Sequence, residues 1–342
     1  MQAARLRAVG EMRIENAHRP VPGPGELLVR VEAAGVCGSD RHMFRGEYPT
    51  ALPVTLGHEF CGIVEALGGA VGRIEVGTRV TVDPNIACGH CPACESGRPN
   101  LCYNLIAIGV FRDGGFAEYV AVPEAQAHVL PADVDPVHGA FCEPLACCLH
   151  GLDVARIVPG ASVAILGGGV IGMLMVQLAK LAGAHTIILS TRQAARRQLA
   201  LTLGATHAVD PAADDPVAAI AGPGGIAPGG VDVVIEAAGV PDTFRQSIAL
   251  ARRGGTVVVF GVMPKGEIVG IEPFDLLFRE LRLEGAYLNP FTHARAAQMV
   301  ADRVLLLDPL VTHRIELSEL PAVLKAPVPQ GEVKTVVLPA ER

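Results

Sequence analysis

Residues 162–181 read SVAILGGGVIGMLMVQLAKL. Five residues of strand character run into Gly167, Gly168 and Gly169, and an apolar segment of helical character follows with Lys180 as its one charge. Gly167, Gly169 and Gly172 make G-x-G-x-x-G. Placed between a strand and a helix, that spacing provides what a dinucleotide pyrophosphate needs. It gives a tight turn, a close approach of backbone to phosphate, and the positive end of a helix beneath it. Val170 and Ile171 open the helix and join the three glycines as the expected binding set. No charge falls between Arg156 and Lys180, a run long enough to cross a bilayer. Pro159, Gly160 and the glycine triplet assign it instead to a buried strand, a turn and a buried helix.

The next apolar run ends in IILSTRQAARR, residues 187–197. In a dinucleotide-binding unit the end of this second strand normally carries an acidic residue that holds the adenosine ribose. Here the position falls in Ser190, Thr191 and Arg192. Thr191 removes the repulsion an acidic residue would exert on a 2′-phosphate, Ser190 and Thr191 can donate hydrogen bonds, and Arg192 and Arg196 can pair the phosphate. The segment reads as a site for NADP in preference to NAD. The alternative is that Arg196 and Arg197 form a solvated helix face and the acidic residue is lost without selection for a phosphate.

Around this unit the texture divides. From Leu27 to about Leu130 short runs such as LLVRVEAAG, GIVEALG, GTRVTV and FAEYVAV alternate with Gly- and Pro-rich turns, as in a barrel-like β domain. From about Gly151 strands alternate with helical segments, as in an α/β, doubly wound parallel sheet. After about Asn289 a helical stretch leads to VKTVVLP, which is expected to return to the β domain. The chain of 342 residues exceeds what one core usually serves. Half its residues are apolar and its net charge is -7, which argues against disorder and against a nucleic-acid partner. The N-terminal MQAARLRAVGEMRIE is broken by charge, so no secretory signal is read there, and a cytoplasmic location without a membrane partner is expected.

Nine cysteines without an export signal point to thiols or metal ligands. Cys88, Cys91, Cys94 and Cys102 form C-x2-C-x2-C-x7-C, which suits a tetrahedral Zn²⁺ closed by four thiolates. A closed site staples a loop and catalyses nothing. A second constellation lies in GVCGSDRH, LGHEF and FCEPLACCLHG, which supply Cys37, Ser39, Asp40, His42, His58, Glu59 and Glu143. One thiolate, one imidazole and one or two carboxylates can hold Zn²⁺ and still leave a position for substrate. Cys61, Cys142, Cys147 and Cys148 read as small buried hydrophobes.

Taken together, GHE, C-G-S-D-x-H, the four-cysteine loop and GGGVIG resemble the zinc-dependent medium-chain dehydrogenase/reductase family over nearly the whole chain, and CEPLACCLH resembles its polyol and threonine dehydrogenase branch. The resemblance implies a GroES-like β-barrel catalytic domain over 1–150, a Rossmann domain over 151–288 and a return to the catalytic domain over 289–342. It makes Cys37 and His58 ligands of a catalytic zinc. Glu59 and Glu143 are then candidates for a third ligand or a water-mediated contact. It makes Ser39 the hydroxyl that takes the substrate proton, with His42 as an exit step, and implies a homo-oligomer, tetramer or dimer. The substrate it implies is a small secondary alcohol, a sugar alcohol or diol. In sorbitol dehydrogenase-like relatives an Arg-Tyr pair stands where this chain has Leu288-Asn289, which leaves the particular alcohol open. A threonine-type amino-alcohol dehydrogenase using NAD, a non-catalytic structural relative and a zinc-ribbon binding module are the alternatives.

Overall fold

The structure, a computed structural model, describes residues 1–339. The last three residues of the expected 289–342 return lie outside the described residues. Two compact units divide the chain, Met1–Ala146 with Asn289–Arg342, and Cys147–Leu288.

The first unit opens with the hairpin β1 (Gln2–Ala8) and β2 (Glu11–Asn16). The long strand β3 (Glu26–Gly35) follows, then helix α1 (Gly38–Phe44), β4 (Val54–Thr55), β5 (Glu59–Leu67) and β6 (Arg79–Val82). A small ribbon of β7 (Asn85–Ile86) and β8 (Ile106–Ala107) brackets the short helix α2 (Pro92–Glu95). Then come β9 (Tyr119–Pro123), β10 (Ala127–Leu130) and α3 (Pro136–Gly139). The division between units falls inside α4 (Cys142–Ala155).

The second unit alternates strand and helix. It comprises β11 (Ser162–Leu166), α5 (Val170–Leu181), β12 (Thr186–Ser190), α6 (Ala194–Leu203) and β13 (His207–Val209). It continues through α7 (Pro216–Ala221), β14 (Val231–Glu236), α8 (Pro241–Leu250), β15 (Ala251–Val259), α9 (Pro273–Arg279) and β16 (Arg282–Gly285). The strands are parallel, in the order β13-β12-β11-β14-β15-β16. Counted from β11 this is 3-2-1-4-5-6, the doubly wound order expected from the sequence. Buried runs such as VAIL and VVIE replace the alternation of a half-exposed strand, because a parallel sheet is covered on both faces. The uncharged stretch between Arg156 and Lys180 is β11, a turn and α5, and no helix of the described residues is long and apolar enough to cross a membrane.

The chain then re-enters the first unit through α10 (His293–Ala301), β17 (Val311–Glu316), α11 (Leu320–Lys325) and β18 (Lys334–Leu338). β18 inserts between β17 and β3 in a seven-stranded sheet ordered β10-β6-β5-β3-β18-β17, with β9 also on β3. β3 is the hub. One edge pairs with β5, while the other pairs with β9 near its start and with β18 at Ala34 and Gly35. Register shifts between Leu28 and Val29 and between Val31 and Ala33 mark bulges against β5, devices that bend a strand. Leu27, Val29 and Val31 point with Phe60, Val64, Val80 and Phe116 into one core. Arg41 of α1 is buried with Glu332, 3.5 Å away, and donates to the carbonyls of Val323 and Ala326, which ties α1 to the returning segment.

Candidate active site

Three strand ends meet where β3 stops. Gly35 lies opposite Glu59 of β5 on one side and Val336 of β18 on the other. Two residues before Val336, Lys334 reaches over Gly35 to form an ion pair with Glu59, and both side chains are about 1% exposed. Its ammonium also donates to the Val36 carbonyl at 3.0 Å. A side chain at position 35 would collide with the Glu59 carboxylate and come 2.7 Å from Lys334 Cε, so the pair requires glycine there. Burial works against the charge on Lys334, but Glu59, Cys37 and Glu143 outweigh it and hold its pKa above the ordinary 10.5. The charged form is therefore the stable one throughout the neutral range.

Past Gly35 the chain turns at Cys37, the N-cap of α1. Asp40, fully buried in the first turn of α1, accepts the Cys37 backbone N–H at 2.8 Å through Oδ2. Its Oδ1 lies 3.5 Å from His58 Nδ1, and neither atom has another partner among the described residues. This pairing fixes which ring nitrogen faces the carboxylate and leaves Nε2 on the other side as a donor. The ligand atoms of Cys37, His58 and Glu59 lie within 4.8 Å of one another. Thiolate, imidazole and carboxylate at that spacing, with a buried carboxylate behind the imidazole, are the donor set and the support a catalytic zinc uses, so these residues fit the metal. Glu143 is buried in the first turn of α4 and stands outside that group of three.

The Ser39 hydroxyl sits 3.3 Å from His58 Nε2, beside the position where the three ligand atoms converge. His42, one turn further along α1, bonds Glu47 at 2.6 Å, and no hydrogen bond joins it to Ser39 among the described residues. Asn289, at the position that differs from the sorbitol-type pattern, is committed to a buried network. It accepts from Asn85 at 2.7 Å and reaches Asp83 and His293 at 3.4 Å.

In the cysteine loop the four sulfurs of Cys88, Cys91, Cys94 and Cys102 also lie within 4.8 Å of one another. The backbone N–H groups of Cys88 and Asn104 point at Cys102 Sγ at 3.2 and 3.4 Å. N–H donors from Cys94 and Tyr103 bring the Cys91 thiol down to about 6, while burial pushes Cys94 up to about 11. Without a cation the cluster cannot hold four negative charges, and the N–H donors are arranged for thiolates. The loop fits a structural zinc. His90 is exposed and bonds the Cys88 carbonyl.

In the second unit Gly167 takes φ +119°, and its N–H bonds the Ser190 carbonyl at 3.0 Å. A side chain at Gly172 would strike the Gly167 carbonyl, and one at Gly168 would meet Thr191 Oγ1 at 2.8 Å. The helix beginning at Val170 and Ile171 is capped at Gly169 without a side-chain bond, which leaves its first N–H groups available to an anion. Ser190 and Thr191 are buried, Arg196 is half-buried and Arg192 is exposed. The cradle fits a dinucleotide. Arg197, by contrast, donates to the carbonyls of Thr191 and Arg192 at 2.8 and 2.9 Å and pairs with Asp210 at 2.8 Å.

Two family models match, the alcohol dehydrogenase GroES-like domain over residues 23–132 and the zinc-binding dehydrogenase over 170–302. L-galactonate-5-dehydrogenase of Escherichia coli K12 is 36% identical over 306 residues, 88% of this chain and 87% of that protein. The chain belongs to the zinc-dependent medium-chain dehydrogenase family. Sorbitol dehydrogenase of Bacillus subtilis is 32% identical over 324 residues, 93% of this chain and 91% of that protein, in keeping with the polyol branch of the family. The crystal structure of a Sinorhizobium meliloti 1021 protein bound to NADP superposes with a TM-score of 0.98 at 61% identity, over 99% of each chain.

Sequence reasoning assigned no role in this dehydrogenase to Lys334, Gly35 or Arg197, and it placed Asp40 among the candidate metal carboxylates without its part behind His58. A lysine inside the apolar run VKTVVLP was the available signal for the first, since a charge in a buried strand needs a partner. Replacing it isolates a buried carboxylate. Lys334→Met is expected to destabilise the metal-free dehydrogenase by about 3 kcal/mol in a denaturant titration, and an unchanged midpoint would show that Glu59 finds another counter-ion.

The pH response of the metal site follows from His58. Burial, the strongest influence on it, opposes its charge, but Asp40 and Cys37 together raise its pKa well above 6.5 in the metal-free chain. Protonated His58 therefore contributes stability that is complete below about pH 6.5 and is lost as pH rises through the elevated folded value. A metal needs the neutral ring, so protons compete with it. Zinc affinity at this site, measured by chelator competition, should fall steadily from pH 8 to pH 6, and a flat profile would contradict the assignment.

Proposed function

We propose that the chain is an NADP-preferring, zinc-dependent dehydrogenase that interconverts a secondary alcohol, a sugar alcohol or diol, and its ketone. The observation that carries this reading is the convergence of Cys37, His58 and Glu59 at the end of β3, with Asp40 behind the imidazole and the Ser39 hydroxyl beside it. Cys37, His58 and Glu59 hold the catalytic zinc, with Glu143 in the first turn of α4 as the reserve carboxylate. Zinc in that position supplies a Lewis acid that makes an alcohol proton easier to remove, and NADP supplies the hydride acceptor. Ser39 is the hydroxyl that takes up the substrate proton as it gives up its own, and His42, paired with Glu47, is the exit step, although no hydrogen bond joins His42 to Ser39 among the described residues. Lys334 and Asp40 fix the orientations of Glu59 and His58. Cys88, Cys91, Cys94 and Cys102 hold a structural zinc.

Gly167, Gly169, Val170, Ile171 and Gly172 receive the pyrophosphate, and Ser190, Thr191, Arg192 and Arg196 read the 2′-phosphate. The NADP bound by the Sinorhizobium meliloti protein supports that preference. The sugar-acid and polyol activities named for the curated relatives support a polyhydroxylated substrate. On this reading residues 1–150 and 289–342 form the catalytic domain and 151–288 the nucleotide domain. The enzyme acts in the cytoplasm as a homo-oligomer, dimer or tetramer. The exposed Phe274, Leu277 and Phe278 of α9, next in the chain to the edge strand β16, support assembly.

The test is metal analysis followed by initial rates with NADP and NAD against sugar alcohols, diols and threonine. The expected outcome is about two zincs per chain and a catalytic efficiency at least about tenfold higher with NADP, from charge-assisted bonds to one phosphate. Cys37→Ser should lose one zinc and lower kcat by about a thousandfold. A Cys37→Ser protein with full activity would sink the catalytic assignment, and equal efficiency with NAD would sink the cofactor preference.

A further inference from the structure

We propose that Arg197 is a positioning residue for cofactor choice, which holds the backbone of residues 190–192 in the shape that reads a 2′-phosphate without touching the phosphate itself. The proposal rests on the NADP reading above and adds to it a residue that the dinucleotide motif does not contain.

The turn after β12 is fastened from three directions. From the glycine loop, the Gly167 N–H bonds the Ser190 carbonyl at 3.0 Å, and the Thr191 side chain lies against Gly168. From β13, the Val209 carbonyl accepts the Thr191 N–H at 3.1 Å. From α6, Arg197 Nη1 donates to the carbonyls of Thr191 and Arg192 at 2.8 and 2.9 Å, while Nη2 is held 2.8 Å from Asp210 just beyond β13. One guanidinium therefore spans two consecutive carbonyls and the following strand's exit. A planar fork divides these tasks between two nitrogens, Nη1 for the carbonyls and Nη2 for the carboxylate, whereas an ammonium would have to serve all three oxygens from one atom.

The two arginines that bracket this turn have different tasks. The charge of Arg197 is matched by Asp210, and its side chain is only 21% exposed. Arg192 is exposed, and its guanidinium has no partner among the described residues, so it is available to an incoming anion. Carbonyl oxygens left to rotate freely at residues 191 and 192 would face the phosphate with like partial charge. Arg197 gathers both against α6, which leaves the hydroxyl of Thr191 and the guanidinium of Arg192 as the groups the phosphate meets.

The experiment is calorimetric titration of the full-length protein, wild type, Arg197→Met and Arg197→Lys, with 2′,5′-ADP and with 5′-AMP, and circular dichroism to confirm that each variant is folded. Both variants should weaken 2′,5′-ADP binding by about tenfold and leave 5′-AMP within about threefold, so that discrimination between the ligands falls. Equal weakening of both ligands would show a merely structural role and overturn the proposal. So would an unchanged Arg197→Met, or an Arg197→Lys with wild-type affinity, since the latter would mean that charge alone suffices. Should Arg197→Met not fold, Arg197→Lys carries the test alone. A wild-type protein that binds the two ligands equally would overturn the NADP reading itself, and the proposal with it, before any variant is measured.

Discussion

The first unit is organised around a buried ion pair that crosses a glycine. Glu59 and Lys334 come from strands 275 residues apart in sequence, and they meet only because β5 and β18 flank the same end of β3. Such a pair adds little net stability when well-packed apolar residues could replace it, but losing one partner is costly. What it specifies is register. A one-residue slip of β18 would turn Lys334 to the other face of the sheet, leaving Glu59 buried without a cation beside Cys37 and His58. The ion pair, the absence of a side chain at Gly35 and the position of Glu59 are therefore a single constraint.

From that point the candidate metal-binding group is assembled by short local steps. The end of β3 delivers Cys37 to the N-cap of α1, and the first turn of α1 delivers Ser39 and Asp40 on successive residues. The residue before β5 supplies His58. Each of the three side chains is thus fixed by the end of a regular element, and the carboxylate of Asp40 serves both the backbone of Cys37 and the ring of His58. In the cysteine loop Cys91 caps the short helix α2 and Cys94 lies within it, while N–H donors to the Cys102 sulfur add order within a few residues.

Much of this was legible in the sequence, and the reason is distance along the chain. The doubly wound sheet announces itself through apolar runs, glycine spacing and alternation, all of which are local. The four-cysteine array and the Cys37, His58 and Glu59 motifs are likewise contiguous words. Lys334 was not legible as a site residue because its meaning depends on a register set by β3 and β17. Asp40 was visible as part of C-G-S-D-x-H, but its role depends on where His58 arrives from another strand. Arg196 and Arg197 look alike in sequence, and only the helix phase of α6 turns Arg197 back onto the Thr191 and Arg192 carbonyls.

Arg197 contacts main-chain oxygens alone in the turn after β12, and every residue type carries those oxygens. The side chains at 191 and 192 can therefore be exchanged without dismantling the support beneath them, apart from the fit of position 191 against Gly168. The identity of those side chains is in that sense separable from the architecture beneath them. On the proposed reading, substitutions at these two neighbouring residues would change which nucleotide is accepted, while the sheet, the glycine loop and the contacts of Arg197 stay as they are.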